Sequence, residues 1–195
     1  MVDRHPGARG YPLASTRSKA VAQADFQHWL PVPGCSMVRA RQRSADMQEE
    51  WLEQARHIET LVPAIYACIS GKAGAARDWS RFRYLQRPDA LSLRNLLHDD
   101  GRIEAQVFGV EAYIANVEPF FAQNDFFEFE TAQRIERFGQ IAHVWSSYEA
   151  RPSPGSPTLL KRGANSIQLH NDGARWWVVS TIWDNEREGL RFDLF

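Results

Sequence analysis

The chain has 195 residues and 44% of them are apolar, enough for one domain with a real core and an extension. Its 23 Lys and Arg balance 24 Asp and Glu, so no overall charge draws it to nucleic acid, and no apolar run approaches the ~20 residues of a membrane helix. Two cysteines, Cys35 and Cys68, with no ligand motif around them, argue against a disulfide framework or a structural zinc site, and with no apolar signal segment at the N-terminus a cytoplasmic, reduced setting is expected.

Residues 1–45 read as a basic extension. Arg4, Arg9, Arg17, Lys19, Arg39, Arg41 and Arg43 face only Asp3 and Asp25, and Pro6, Pro12, Pro31 and Pro33 punctuate them. No periodic pattern appears, so a flexible or loosely docked segment is expected. Three other readings stay open: a natural start at Met37 or Met47, a basic arm for an acidic partner, and an organellar transit peptide. If the arm is ordered, Phe26, Trp29 and Leu30 would dock on the domain.

The first helix is expected from Asp46, which with Glu49 resembles a capping box. Trp51, Ala55, Ile58, Val62, Ile65 and Ile69 recur at helical spacing on one face. Pro63 should kink or break it, and Ser70-Gly71 should end it. A short helix follows over Asp78–Leu85, with Trp79 and Phe82 inward and Arg87-Pro88 as its stop. Asp89–Leu93 and Ile103–Phe108 are short strands about a turn at His98-Asp99-Asp100-Gly101. Val110–Ala122 is a third helix, carrying Tyr113, Ile114, Val117 and Phe121 at helical spacing, with Pro119 as a bend or early end.

Four long strands close the domain: Phe126–Phe138, Ile141–Glu149, Thr158–His170 and Arg175–Asp184. Asn171-Asp172-Gly173 is a tight hairpin turn, because these residues tolerate positive φ. Residues 187–195 form a tail. Helices first and strands last predict an α+β fold, with helices on one face of a curved antiparallel sheet. Along the last strand Trp177, Val179, Thr181 and Trp183 share one face, and Trp176, Val178, Ser180 and Ile182 the other. Both faces are apolar, whereas a half-solvated sheet alternates apolar with charged residues. Helices should cover one face, and a partner subunit or the extension the other.

This order, and several strings, resemble the NTF2-like superfamily (the SnoaL-like and ketosteroid isomerase group) over about Asp46 to Glu186. The strings are Asp78-Trp79-Ser80-Arg81-Phe82, the run Arg134-Ile135-Glu136-Arg137-Phe138-Gly139-Gln140-Ile141-Ala142-His143-Val144, and Asn165-Ser166-Ile167-Gln168-Leu169 ahead of Arg175-Trp176-Trp177-Val178-Val179-Ser180. They look most like an uncharacterised bacterial branch of the nuclear transport factor 2 family. The resemblance implies an NTF2-like (cystatin-like) cone spanning residues 46–186, with helices packed on the concave face. It says little of function, since this superfold hosts isomerases, dehydratases, hydrolases, binding proteins and assembly modules.

The resemblance puts Asn165 where the isomerases hold a protonated Asp, Tyr66 near their oxyanion Tyr, and Arg94 near their general-base Asp. Arg cannot abstract a proton at neutral pH, so ketosteroid isomerisation by that mechanism is not expected. It also implies that Val144, Ser146, Tyr148, Asn165, Ile167, Val179, Thr181 and Trp183 face the cone interior. His143, Trp145, Gln168, His170 and Trp176 would face outward, where many relatives dimerise.

The expected ligand pocket comprises Tyr66, Phe82, Phe121, Val144, Ser146, Tyr148, Asn165, Ile167, Thr181 and Trp183, polar tips in an apolar wall. The alternative is a packed core with satisfied hydroxyls. His143 could act as an acid or base, against a plain place on the dimer face. His98, Asp99 and Asp100 are expected to be a solvated turn rather than metal ligands. Glu128 and Glu130 share one strand face and are expected as a solvated stripe rather than paired carboxylates. Arg134 and Arg137 are expected to pair with Glu136 or Glu149 rather than clamp an anion. With no phosphate loop, zinc-protease helix or nucleophile elbow, no cofactor or metal is expected and no catalytic residue is assigned. The expected function is binding of a small apolar molecule in the cone. The alternatives are a cofactor-independent isomerase or dehydratase, and a non-catalytic dimerising module. A homodimer through the outer face is the expected assembly.

Overall fold

The computed structural model of the chain describes residues 35–193; the expectations for residues 1–34, including the docking of Phe26, Trp29 and Leu30, lie outside them. Four helices, α1 (Cys35–Arg56), α2 (Ile58–Ile69), α3 (Trp79–Leu85) and α4 (Val110–Gln123), accompany six strands. These are β1 (Gln86–Leu97), β2 (Ile103–Gly109), β3 (Phe127–Phe138), β4 (Ile141–Arg151), β5 (Lys161–Asn171) and β6 (Trp176–Asn185). They form one sheet in the order β2-β1-β6-β5-β4-β3. The fold is α+β, as expected. The sheet is mixed rather than wholly antiparallel, because β6 returns beside β1 in the same direction.

Two helix expectations are corrected. The first helix begins at Cys35, not near Asp46, and residues 35–45 are helical. Asp46 lies inside that helix, where its carboxylate accepts from Gln42 Nε2 at 2.8 Å instead of capping an end. The break falls at His57, whose backbone is extended, and not at Pro63. There the Thr60 hydroxyl donates to the Gln54 carbonyl at 2.8 Å, satisfying one of the carbonyls that a helix end leaves open. Pro63 forfeits one hydrogen bond inside α2, yet the helix runs on to Ile69. Pro119 likewise does not end α4, which reaches Gln123. The apolar face continues across the break: Ala55, Ile58, Leu61, Val62 and Ile69 are buried. Asp78 caps α3 by accepting from the Arg81 amide at 3.0 Å.

The hairpin forms as expected. Gly173 sits at φ +99°, Asn171 Oδ1 accepts from its amide at 2.8 Å, and Asp172 Oδ1 accepts from Ala174 and Arg175. Arg175 then ties the hairpin to α3. Its guanidinium lies between the rings of Tyr84 and Trp177, 3.8 and 3.4 Å from their centroids, and donates to the Tyr84 carbonyl at 2.6 Å.

A bulge in β6 decides which tryptophans enter the core. Gln168 pairs with Ser180 but Leu169 pairs with Val178, leaving Val179 as an extra residue. An extra residue switches the faces of a strand from that point. Thr181 and Trp183 therefore point to the concave side, as expected, but so do Trp176 and Val178, at 1% and 0% exposure. Trp176 does not belong to the outer face. It is a core residue, with the Arg137 guanidinium 4.6 Å from its ring centroid. Trp176→Ala should lower unfolding free energy in urea by about 3–5 kcal/mol; a change within about 0.5 kcal/mol, as at surface sites, would return Trp176 to the outside.

Candidate functional site

Between α2, α4 and the concave side of the sheet lies a cavity of about 240 Å³. Cross-strand pairing lays its side chains down in rows. Arg94, Trp183, Asn165 and Ser146 form one row across β1, β6, β5 and β4. Glu128, Ala150 and Lys161 form another across β3, β4 and β5. Between them, Gly163 faces Tyr148 on one side and Asn185 on the other. A Cβ at Gly163 would overlap the Asp184 carbonyl and stand 2.7 Å from the Tyr148 hydroxyl. The bare glycine lets Tyr148 cross β5 and donate to Asn185 Oδ1 at 2.9 Å.

Of the expected pocket residues, Tyr66, Phe82, Phe121, Tyr148, Asn165, Thr181 and Trp183 line the cavity. Val144, Ser146 and Ile167 face the same side but lie in the closed core, at 0–2% exposure. One end of the cone is filled and the other is open. From α4, Tyr113 joins the wall, its ring stacked on Phe82 at 5.4 Å and edge-on to Trp183 at 6.2 Å.

Where the filled end meets the open one, four polar groups form a chain. Asn165 Nδ2 donates to the Tyr66 hydroxyl at 2.7 Å, Tyr66 and Ser146 share a 2.7 Å bond, and Ser146 Oγ meets Glu130 Oε1 at 2.5 Å. A carboxylate only accepts, which sets the direction. Ser146 gives its hydrogen to Glu130, Tyr66 gives its own to Ser146, and Asn165 supplies Tyr66. Tyr66 is thus committed inward and is not a free oxyanion donor, whereas Asn165 keeps a second amide hydrogen. Burial raises the Glu130 carboxyl above the ordinary range, and the Ser146 bond opposes that.

Glu128 is the group the sequence placed wrongly. It lines the cavity, and its carboxylate makes no hydrogen bond or ion pair among the described residues. The Ser70 hydroxyl, just beyond α2, bridges its backbone, accepting from the Glu128 amide at 2.9 Å and donating to its carbonyl at 3.0 Å. Loss of water pushes the Glu128 carboxyl up to about 8, against the opposing charge of Lys161. The hydroxyls of Tyr66, Tyr113 and Tyr148 are each raised first by burial and next by Glu128. Glu128 shares the cavity lining with these three tyrosines. Neither it nor Glu130 belongs to a solvated stripe: pairing with Ala150 and Tyr148 turns both inward, under α2.

The remaining sequence candidates lie elsewhere. His143 hydrogen-bonds Ser166 Oγ at 2.9 Å and shares the outer face with Trp145, Gln168 and His170, away from the cavity. His98 Nε2 meets Glu104 at 3.0 Å, and Asp100 accepts from the Arg102 amide within its turn. Arg134 lies 3.4 Å from Glu136. Among the described residues no three His, Cys, Asp or Glu side chains converge on a metal position.

No protein-family model matches the sequence, and no curated protein matches it. Solved structures match its fold. A protein of unknown function with a cystatin-like fold from Nostoc punctiforme is 9% identical, covers 66% of this chain and 88% of its own, and superposes with a TM-score of 0.51. An NTF2-like protein of unknown function from Pseudomonas putida is 14% identical over 80% of this chain and 90% of its own, with a TM-score of 0.45. A protein of unknown function from Mycobacterium tuberculosis is 16% identical over 72% and 76%, with a TM-score of 0.49. The chain has a cystatin-like α+β fold.

The position of Glu128 has a consequence for stability. A carboxyl raised from 4.5 to about 8 by folding favours the folded state fully below pH 4.5, and that contribution is lost as pH rises to about 8. Wild type should lose stability across this window. Glu128→Gln should show a flatter profile and be the more stable of the two at pH 8.5, by about 1–2 kcal/mol, as read from urea unfolding at a series of pH values.

Proposed function

We propose that the chain binds a small, mainly apolar molecule in the cone cavity, and that Glu128 is the proton-transfer group this molecule meets. The observation that carries this is a carboxyl, without a hydrogen-bond or ion-pair partner among the described residues, in the wall of a cavity also lined by tyrosines and other aromatic rings. Burying an ionisable group without a partner costs stability, and such groups gather at functional sites. A carboxyl near 8 is matched to proton transfer close to neutral pH. The same observation favours a cofactor-independent isomerase or dehydratase as a second reading. In that case the Glu128 carboxylate takes a proton from a carbon beside a carbonyl, and the free amide hydrogen of Asn165 donates to the oxygen that gains charge.

Native mass spectrometry of freshly purified protein, before and after mild denaturation, tests the binding claim. A small molecule carried by the folded chain and released on unfolding is the expected result. No bound species, together with no rise in melting temperature across a set of small apolar carbonyl compounds, would contradict it.

We also propose that the outer face of the sheet pairs with a second copy. His143, Trp145, Gln168 and Ile182 lie on that face, and Ile182 is 44% exposed. The C-terminal segment covers part of it, with Phe192 5.4 Å from the Trp145 ring. Sedimentation at micromolar concentration should give a dimer, and a monomer would count against this surface.

A further inference from the structure

We infer that the cavity takes an organic acid, with an apolar or aromatic body and a carboxylate held on the β1 side of the cone by Arg94 and the Tyr113 hydroxyl. This rests on the reading of the cavity as a small-molecule site and narrows its ligand. Arg94 lines the cavity. Its Nε donates to Gln106 Oε1 at 2.7 Å on the neighbouring strand β2, and Gln106 Nε2 in turn reaches Glu104 Oε1 at 3.2 Å. The guanidinium is thereby held at one nitrogen, while both Nη groups make no hydrogen bond among the described residues. That leaves a planar pair of donors, a shape that matches a carboxylate with two parallel bonds.

The Tyr113 hydroxyl is a second donor with no partner among the described residues. It lines the same cavity, where the Glu128 charge acts on it more strongly than the opposing charge of Arg94. The Trp183 ring stands beside both: Trp183 pairs with Arg94 across the strands and meets Tyr113 edge-on. A neutral apolar ligand would leave a half-buried guanidinium without a counter-ion, an arrangement that costs stability; a carboxylate would supply one. Lys161 adds a second cation to the lining. Among the described residues the one carboxylate in the wall, Glu128, stands on β3, separated from β1 by β6, β5 and β4. The apolar walls, with Phe82, Val117 and Phe121, take the body of the acid.

Isothermal titration calorimetry on the full chain at pH 7, with 2-naphthoate and 2-naphthamide as probes, tests the inference. The two share a ring system and differ in charge. 2-Naphthoate should bind at least about tenfold more tightly. Arg94→Gln should remove that preference, bringing the two affinities to within about twofold of each other. Equal affinity of wild type for both probes would overturn the acid inference and leave the small-molecule reading standing. Binding of neither probe at millimolar concentration would remove both. The wild-type comparison needs no variant, so a destabilised Arg94→Gln does not decide the outcome.

Discussion

The hydrogen-bonded chain from Asn165 through Tyr66 and Ser146 to Glu130 joins helix α2 to strands β5, β4 and β3 in one buried line. Tyr66, Ser146 and Asn165 are withdrawn from bulk water and Glu130 partly so, so each needs the next. Losing one link strands its neighbours at about 1–3 kcal/mol apiece. The line holds α2 at a fixed height above the sheet. On one side of it Val144, Ile167 and Val178 pack tightly against Leu61, Val62 and Leu85. On the other the cone stays open, because the residues facing the gap are large rings and long polar side chains drawn from α4 and the strand ends.

The same helix end sets the chemistry of the open half. Ser70 grips the backbone of Glu128, so the carboxyl projects from a rigid strand and not from a loop. A chain selected for stability alone would place an amide or an apolar residue there. Arg94 shows the same pattern towards the other end of the sheet, oriented by Gln106 and with no carboxylate partner among the described residues. Local rules of polar satisfaction fail at these two positions while holding along the buried chain beside them, and such local failures mark functional or strained sites.

Much of the fold was legible in the sequence. The hairpin at Asn171–Gly173, the capped α3 and the alternation in β4 are encoded within a few residues, by turn chemistry, a capping carboxylate and a period of two. The parallel pairing of β1 with β6 joins segments far apart in sequence and leaves no local mark. The bulge at Val179 was hidden for a different reason. Trp176 to Trp183 reads as one uninterrupted strand, and only the pairing of Leu169 with Val178 shows that it changes face. Trp176 before the bulge and Thr181 and Trp183 beyond it therefore share the concave side, which strict alternation would not give. Glu128 was misread because a carboxylate on an alternating strand normally faces water. Its surroundings come from α2, α4 and Tyr148, which line one cavity with it only after the whole sheet has formed.

Glu128 is a carboxyl with no hydrogen-bond or ion-pair partner among the described residues, in the wall of a partly closed cavity. Carbon-13 NMR of glutamate-labelled protein, with Glu128→Gln used to assign the resonance, measures this directly. The Glu128 carboxyl should titrate near pH 8 and its resonance should move when a ligand enters the cavity. A Glu128 resonance titrating near the ordinary 4.5, indifferent to added ligand, would show the group to be solvated and would contradict the account.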